Sequence, residues 1–154
     1  MNVIVLTGSS HSGKTTTLKI VYEYLKGINQ QETNRFRYLD PAQKDFFDVL
    51  IIQGVVVVIF TQGDYIRQGS GHPSVFSLLD NAVKEKAQIV LCPFSTHNDK
   101  SYLLKINKYA QKTLSVEKDE RDEGYEQGDA NHKDADKVIA LFKDMLNEIQ
   151  NESK

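Results

Sequence analysis

The residues from Gly8 to Thr15 have types and a spacing that suit the binding of phosphate. They form a complete G-x-x-x-x-G-K-[ST] pattern, in which two glycines let the backbone wrap closely around an anion with successive N–H groups pointing inward. Lys14 can then reach the β- and γ-phosphates of a bound polyphosphate, and the Thr15 hydroxyl can ligate Mg²⁺. The predicted phosphate-contacting residues are Gly8, Ser9, Ser10, His11, Ser12, Gly13, Lys14, Thr15 and Thr16.

Two carboxylates and one arginine are the further candidates for such a site. Asp64 lies four residues beyond Phe60, which ends the strongest strand pattern in the chain. Because open α/β sheets bind ligands at the carboxyl ends of their strands, we predict that Asp64 binds Mg²⁺ or its water together with Thr15, or accepts a substrate proton. The alternative for Asp64 is a cap on the next helical turn. Asp40 could meet a phosphoryl acceptor, although a simple turn with the following proline is favoured. Arg67 could stabilise charge on a transferred phosphoryl group, although an exposed surface arginine is favoured.

The segments around the loop have the order that the pattern requires. The apolar run Val3–Leu6 predicts a buried strand before the loop, and the spacing of apolar residues after it predicts a helix from Lys14 to Lys26 that ends at Gly27. The start of that helix adds unpaired N–H donors and the positive end of its dipole. A strand–loop–helix context of this kind supports the phosphate-binding interpretation.

Strands and helices alternate along the rest of the chain, which predicts a three-layer α/β/α sandwich with a mostly parallel sheet. Two β-branched runs joined by Gln53 and Gly54 predict an antiparallel hairpin, and we expect its second arm to lie beside the strand that precedes the phosphate loop. Further strands are predicted at 36–39, 48–53, 55–60, 88–94 and 113–116, and further helices at 73–86, at 100–111 and from residue 131 onward. The charged segment 117–129 is predicted to be a mobile loop, from which Arg121 could reach the site if the loop closes as a lid, although surface exposure is favoured.

The composition narrows the class of protein. A chain of 154 residues predicts a single domain. A formal charge of −2 argues against a nucleic-acid partner, because a binding domain of that kind is normally basic. Cys92 is the only cysteine, which excludes an intramolecular disulfide, and its apolar surroundings predict a buried structural thiol. The chain has neither an apolar stretch of about 20 residues nor a basic leader, so we expect a cytoplasmic protein without a membrane partner.

Over residues 3–25 the chain resembles the P-loop NTPase superfamily, and especially its small ATP-dependent kinases. The residues that carry the resemblance are the two glycines of the loop, Lys14 and Thr15, followed by Thr16. The resemblance implies binding of ATP with Mg²⁺, and either phosphoryl transfer to a small molecule, nucleoside or nucleotide, or ATP hydrolysis. The chain departs from the usual pattern at its best strand, which ends in Phe60 and Thr61 where an acidic residue is expected.

Two other classes of protein stay open. A GTPase-like switch would explain the hairpin, but Phe60 stands where its D-x-x-G motif needs aspartate, and Ser95–Asn98 stands where a guanine-reading N-K-x-D is expected. Guanine selectivity is therefore unsupported. A non-catalytic module that binds nucleotide and signals to a partner is the second alternative, because the loop predicts binding more firmly than turnover.

Overall fold

The computed structural model describes residues 1–65, 71–97, 100–120 and 124–154, which form an α/β fold with six strands and four helices. In chain order these are β1 (Asn2–Gly8), α1 (Lys14–Ile28), β2 (Arg37–Tyr38), β3 (Phe46–Ile52), β4 (Val55–Phe60), α2 (Val75–Lys84), β5 (Ile89–Ser95), α3 (Lys100–Ile106), β6 (Lys112–Glu117) and α4 (Gly124–Glu152). The predicted alternation of strands and helices is confirmed.

The strands form one mixed sheet in the order β2-β3-β4-β5-β1-β6. The four strands β4, β5, β1 and β6 are parallel, while β2, β3 and β4 pair antiparallel. The mostly parallel sheet with an antiparallel hairpin is therefore confirmed. The predicted neighbour of β1 was wrong, because β5 lies between β4 and β1. β5 pairs with β1 over its whole length, from Asn2 opposite Ile89 to Gly8 opposite Ser95.

Apolar side chains pack on both faces of the sheet. Alternation along β1 shows this, because Ile4 and Leu6 belong to one buried cluster while Val3 and Val5 belong to the other. Helices α1 and α4 contribute to the first cluster, and α2 and α3 contribute to the second. The sheet is thus covered by helices on both faces, which fits the continuous apolar runs of its parallel strands.

Several helix boundaries differ from the sequence-based expectations. α4 begins at Gly124 rather than at Asn131, so the predicted loop 117–129 is helical from Gly124 onward. Two contacts stabilise this first part of α4. The charged side chains of Asp129 and Lys133, four residues apart on the helix, lie 3.6 Å from each other, and Ala130 is buried. α1 continues through Gly27 to Ile28 instead of ending there.

The two helices on the other face are shorter than predicted. α2 begins at Val75 rather than near residue 73, because the Ser74 side chain accepts a hydrogen bond from the backbone N–H of Ser77 and caps the helix. α3 ends at Ile106 rather than at residue 111. Beyond it, backbone N–H groups donate to carbonyls three residues earlier, as from Tyr109 to Ile106, which is a tighter turn than an α-helix.

Candidate functional site

The loops that follow the parallel strands meet at one edge of the sheet. The carbonyl of Gly8, at the end of β1, accepts a hydrogen bond of 2.8 Å from the N–H of Thr96, which follows β5. On the other side, the carbonyl of Thr7 accepts one of 2.7 Å from the N–H of Lys118, which follows β6. The predicted phosphate loop is thus held between the loops of its two neighbouring strands, at the edge where α/β sheets bind ligands.

The loop turns sharply into α1. His11 and Gly13 both have left-handed backbone angles, with φ of 61° and 89°. The carbonyl of Gly13 accepts the N–H of Thr17 at 2.9 Å, so the helix begins directly after this glycine. A Cβ atom on Gly13 would lie 2.4 Å from the side-chain oxygen of Asn131 in α4. The backbone angle therefore favours glycine here, and any larger residue would also require the Asn131 side chain to move.

Lys14 is buried and folds back over the loop. Its ammonium donates hydrogen bonds to the carbonyls of Gly8 at 3.2 Å and Ser9 at 2.5 Å. Burial lowers the pKa of Lys14, as does the charge of Lys118, while the negative charges of Asp64 and Glu120 oppose the shift. A partly desolvated cation that is held by carbonyl groups is suited to bind an incoming anion.

A cavity of about 540 Å³ opens in front of the loop, and we call it the phosphate cavity. Its volume lies within the range of about 300–1,000 Å³ that is usual for small-molecule sites. The predicted residues Lys14, Thr15 and Asp64 all line it, whereas Gly8, Ser9, Ser10 and Ser12 do not. The lining residues are His11, Gly13, Lys14, Thr15, Thr16, Lys19, Lys44, Asp45, Thr61, Gly63 and Asp64.

Asp45 is a site residue that the sequence reasoning missed. Its carboxylate accepts hydrogen bonds from the hydroxyls of Thr15 at 3.2 Å and Thr61 at 2.9 Å. Burial raises the pKa of Asp45, the two threonine hydrogen bonds oppose the shift, and the charges of Asp40 and Asp64 add to it. The carboxylate that contacts the predicted Mg²⁺ ligand Thr15 is thus Asp45.

Asp64 lies at the same cavity but makes different contacts. Its carboxylate accepts a hydrogen bond from the hydroxyl of Ser95 at the end of β5, and its side chain is exposed. Gly63 allows this placement, because a Cβ there would come within 2.8 Å of Pro93. The carbonyl of Gly63 also accepts a 3.1 Å hydrogen bond from the N–H of Ser95. Asp64 is therefore tied to the neighbouring strand with an open side toward the cavity.

The remaining predicted residues fall away from the phosphate cavity or outside the described chain. The Asp40 carboxylate accepts hydrogen bonds from the backbone N–H groups of Lys44 at 3.1 Å and Asp45 at 2.7 Å, and it does not line the cavity. These hydrogen bonds form a turn at Asp40 that holds Asp45 in place. Arg67 and Arg121 lie outside the described residues.

Two further polar contacts and one buried hydroxyl surround the loop. The N–H of Ser9 donates to the Glu120 carboxylate at 2.5 Å, and hydrogen bonding from Ser9 lowers the pKa of Glu120, as do the charges of Lys14 and Lys118. The hydroxyl of Ser10 lies 2.9 Å from Nδ1 of His97. The buried Ser12 hydroxyl has no hydrogen-bond partner within the described part of the chain. Glu120 thus places a negative charge next to the predicted phosphate loop.

The oxygen atoms at Thr15 suit a magnesium ion that arrives with a ligand. Within the described ranges, no group of three or more His, Cys, Asp or Glu side chains could hold a metal by itself. Mg²⁺ commonly takes only one or two protein oxygens and completes its coordination with phosphates and water. The hydroxyl of Thr15 and the carboxylate of Asp45, at 3.2 Å from each other, provide two such oxygens.

Comparisons of the chain with protein-family models, with curated proteins and with solved structures find no match. The function of the site therefore has to be inferred from its own geometry. In the ranges that the structure covers, none of the helices combines the length and the apolar character needed to cross a membrane.

Proposed function

We propose that this chain is a P-loop nucleotide-binding protein that binds ATP with Mg²⁺ and transfers or hydrolyses the γ-phosphoryl group. The observation that carries the proposal is the phosphate cavity. It brings Lys14 and Thr15 of the loop together with Asp45 and Asp64, at the edge where four parallel strands end. We favour phosphoryl chemistry over a purely structural turn, because one cavity combines a phosphate-binding pattern, the start of a helix and two carboxylates.

The residues around the loop have distinct roles in this proposal. The backbone N–H groups at the start of α1 and the ammonium of Lys14 bind the phosphate oxygens and stabilise their negative charge. Thr15 and Asp45 would hold the Mg²⁺ ion, which would supply positive charge to stabilise the phosphates. Lys14 donates to the Gly8 and Ser9 carbonyls, and on binding it would exchange these weak partners for phosphate oxygens.

Asp64 is the residue that we assign to the attacking group. An oxygen of the acceptor or of water forms a bond to the γ-phosphorus while the bond to the β-phosphate oxygen breaks, which leaves a nucleoside diphosphate. Where the attacking oxygen carries a proton, the Asp64 carboxylate receives it. Support for this role comes from the exposed position of Asp64 at the cavity and from its hydrogen bond with Ser95, which fixes its orientation.

The two carboxylates can be separated by experiment. Asp45→Asn should weaken Mg²⁺-dependent ATP binding about tenfold or more, because one charged ion ligand is lost. Asp64→Asn should retain binding and lose turnover by about a hundredfold, within the usual range for a general base. Calorimetric titration and a phosphate-release or acceptor assay measure the two effects. Asp144→Asn, on the exposed surface of α4, is the matched control and should change neither.

The pattern of results decides between the roles. If Asp64→Asn turns over ATP at the wild-type rate, Asp64 does not act on the attacking group. If Asp45→Asn binds MgATP as tightly as the control Asp144→Asn, the ion is held elsewhere. Binding without turnover in the wild-type chain, with any acceptor tried, would instead identify the non-catalytic nucleotide-binding module.

A further inference from the structure

A second cavity lies beside the phosphate cavity, between α1 and the edge strand β2. It has a volume of about 420 Å³, and Lys19 lines both cavities. We call it the aromatic cavity, because its walls include Tyr22, Phe36, Tyr38 and Phe46. A molecule bound there can extend past Lys19 toward phosphates in the neighbouring cavity. The two substrates of a transfer reaction need such adjacent sites, because their reacting groups must meet.

The aromatic cavity presents two exposed rings. Phe36 and Tyr38 are 43% and 51% exposed, and their rings meet edge to face at 5.1 Å with an angle of 84°. Phe36 also stacks on the buried ring of Phe46, at 5.5 Å and 29°. Large rings that are open to solvent on one side and supported on the other form a stacking surface for a planar molecule.

The inner wall of this cavity is held by ring contacts and a buried hydrogen bond. The Tyr22 ring lies 4.5 Å from that of Phe46 and 6.3 Å from that of Phe36. Its hydroxyl donates a 2.7 Å hydrogen bond to the buried carboxylate of Asp48. Burial, together with this hydrogen bond, raises the pKa of Tyr22, so the hydroxyl stays protonated and keeps its partner. The stacking surface is therefore preformed, which reduces the entropy lost on binding.

Two lysines near the opening can bind a negatively charged group of a ligand. Lys19 and Lys44 both line the phosphate cavity, and among the described residues no carboxylate forms a salt bridge with either of them. Lys26, farther along α1, differs because its ammonium pairs with Glu23 at 3.3 Å. Lys19 thus places a positive charge where the two cavities join, and Lys44 places another in the phosphate cavity. The carboxylate of Glu23, which also lines the aromatic cavity, is paired with Lys26.

We propose that the aromatic cavity binds the phosphoryl acceptor, and that this acceptor combines a planar aromatic ring with an anionic group, as a nucleoside monophosphate does. The planar ring stacks on one of the rings of Phe36 and Tyr38 and contacts the edge of the other, because these two rings are nearly perpendicular. The anionic group contacts Lys19 and Lys44. This inference rests on the proposed function, because a separate acceptor is needed only if the phosphate cavity binds the phosphoryl donor.

The test compares ligands that contain one or both of these features. Binding of the common nucleoside 5′-monophosphates, of the matching nucleosides and of inorganic phosphate is measured by calorimetry. The chain has no tryptophan, so quenching of tyrosine emission gives an independent signal for stacking. At least one monophosphate should bind more than tenfold tighter than either its nucleoside or inorganic phosphate.

Phe36→Leu and Tyr38→Leu, which keep an apolar side chain but remove the ring, should each weaken that binding about tenfold. Leu104→Ala, at another exposed apolar residue, is the control.

The outcomes separate this inference from the proposed function. Each variant and the Lys14→Ala variant are also titrated with MgATP, and folding is checked by the melting temperature. The acceptor proposal is wrong if no monophosphate binds, or if Phe36→Leu and Tyr38→Leu bind the monophosphate as tightly as the control does. The proposed function stands in either case when ATP still binds and its binding depends on Lys14. If ATP fails to bind while a monophosphate still binds in the aromatic cavity, the proposed function is wrong. The aromatic cavity is then a binding site for a planar anionic molecule that does not act as a phosphoryl acceptor.

Discussion

The buried ion pair between Lys118 and Asp134 should be essential for the stability of the fold next to the phosphate loop. The ammonium and the carboxylate lie 2.8 Å apart, and both side chains are 0% exposed. Lys118 follows β6 and Asp134 belongs to α4, so the pair joins these elements. The same carboxylate also accepts the N–H of Asp119 at 2.8 Å. We predict that Asp134→Asn leaves Lys118 as a buried charge without its counter-ion and destabilises the chain by about 3–5 kcal/mol.

A second ion pair provides a control at the same distance. Lys112 and Glu148 also lie 2.8 Å apart, but their side chains are 42% and 50% exposed. Solvent screens such a pair, so Glu148→Gln should cost about 0–1 kcal/mol. For a chain of this length about 1 kcal/mol corresponds to about 2–4 °C, so the melting temperature should fall by about 6–20 °C for Asp134→Asn and by less than about 4 °C for Glu148→Gln.

Thermal and urea denaturation of the two variants measure the difference, and the pH dependence adds a second signal. Burial would raise the pKa of Asp134, but hydrogen bonds from Lys118 and Asp119 and the charges of Lys118 and Lys137 outweigh it and lower the pKa. The stability from this lowered pKa is present above the ordinary carboxyl value of about 3.9 and is lost as the pH falls through the lower folded-state value. The wild type should therefore lose more stability in acid than Asp134→Asn. Equal losses of stability in Asp134→Asn and Glu148→Gln at neutral pH would refute the reasoning.

Three further substitutions follow from the geometry of the loop and its surroundings. Gly13→Ala should abolish nucleotide binding and lower the melting temperature, because a Cβ would meet a side-chain oxygen at 2.4 Å and φ is +89°. Gly27→Ala should instead stabilise the chain by up to about 1 kcal/mol in urea denaturation, because this helical position has open space around it; destabilisation there would contradict the argument. Glu120→Gln should bind ATP about two- to fivefold tighter in a calorimetric titration, because a carboxylate no longer competes for the Ser9 N–H and for Lys14. Equal affinity in Glu120→Gln and in the exposed control Glu117→Gln would show that Glu120 does not compete with the nucleotide.

The sequence predicted the strand, loop and helix around Gly8–Thr15 well because their determinants are local. Gly13, Lys14 and Thr15 lie next to one another in the chain, and an apolar run before them and a helical pattern after them place them at a strand end. The hairpin could also be predicted, because two β-branched runs flank Gln53 and Gly54, which both have positive φ.

Asp45 could have been found from that same hairpin. Folding the chain back at Gln53 and Gly54 places Phe47 opposite Phe60, so the residues just before β3 lie beside those just after β4. Asp45 then lies at the carboxyl edge of the sheet although it precedes its own strand. The sequence reasoning considered only the carboxylates that follow strands, such as Asp64, and therefore missed it.

The order of the parallel strands could not be predicted from local patterns. β4 and β5 are both apolar runs that are buried on both faces, and either could pair with β1. The choice depends on how helical crossovers pack on the finished sheet, which involves contacts distant in sequence. The start of α4 at Gly124 was missed for a similar reason, because charged residues and two glycines in 117–129 are typical of a loop, and the helix packs along α1.

Calorimetric titration of the purified chain with ATP, in the presence of Mg²⁺ and again with excess chelator, tests the central claim most directly. The account predicts saturable binding of one ATP per chain that weakens without Mg²⁺ and that Lys14→Ala reduces at least tenfold. Lys108→Ala, near the opposite edge of the sheet, should leave the affinity unchanged. Absence of binding by the folded wild-type chain, with ATP and equally with GTP, would contradict the account.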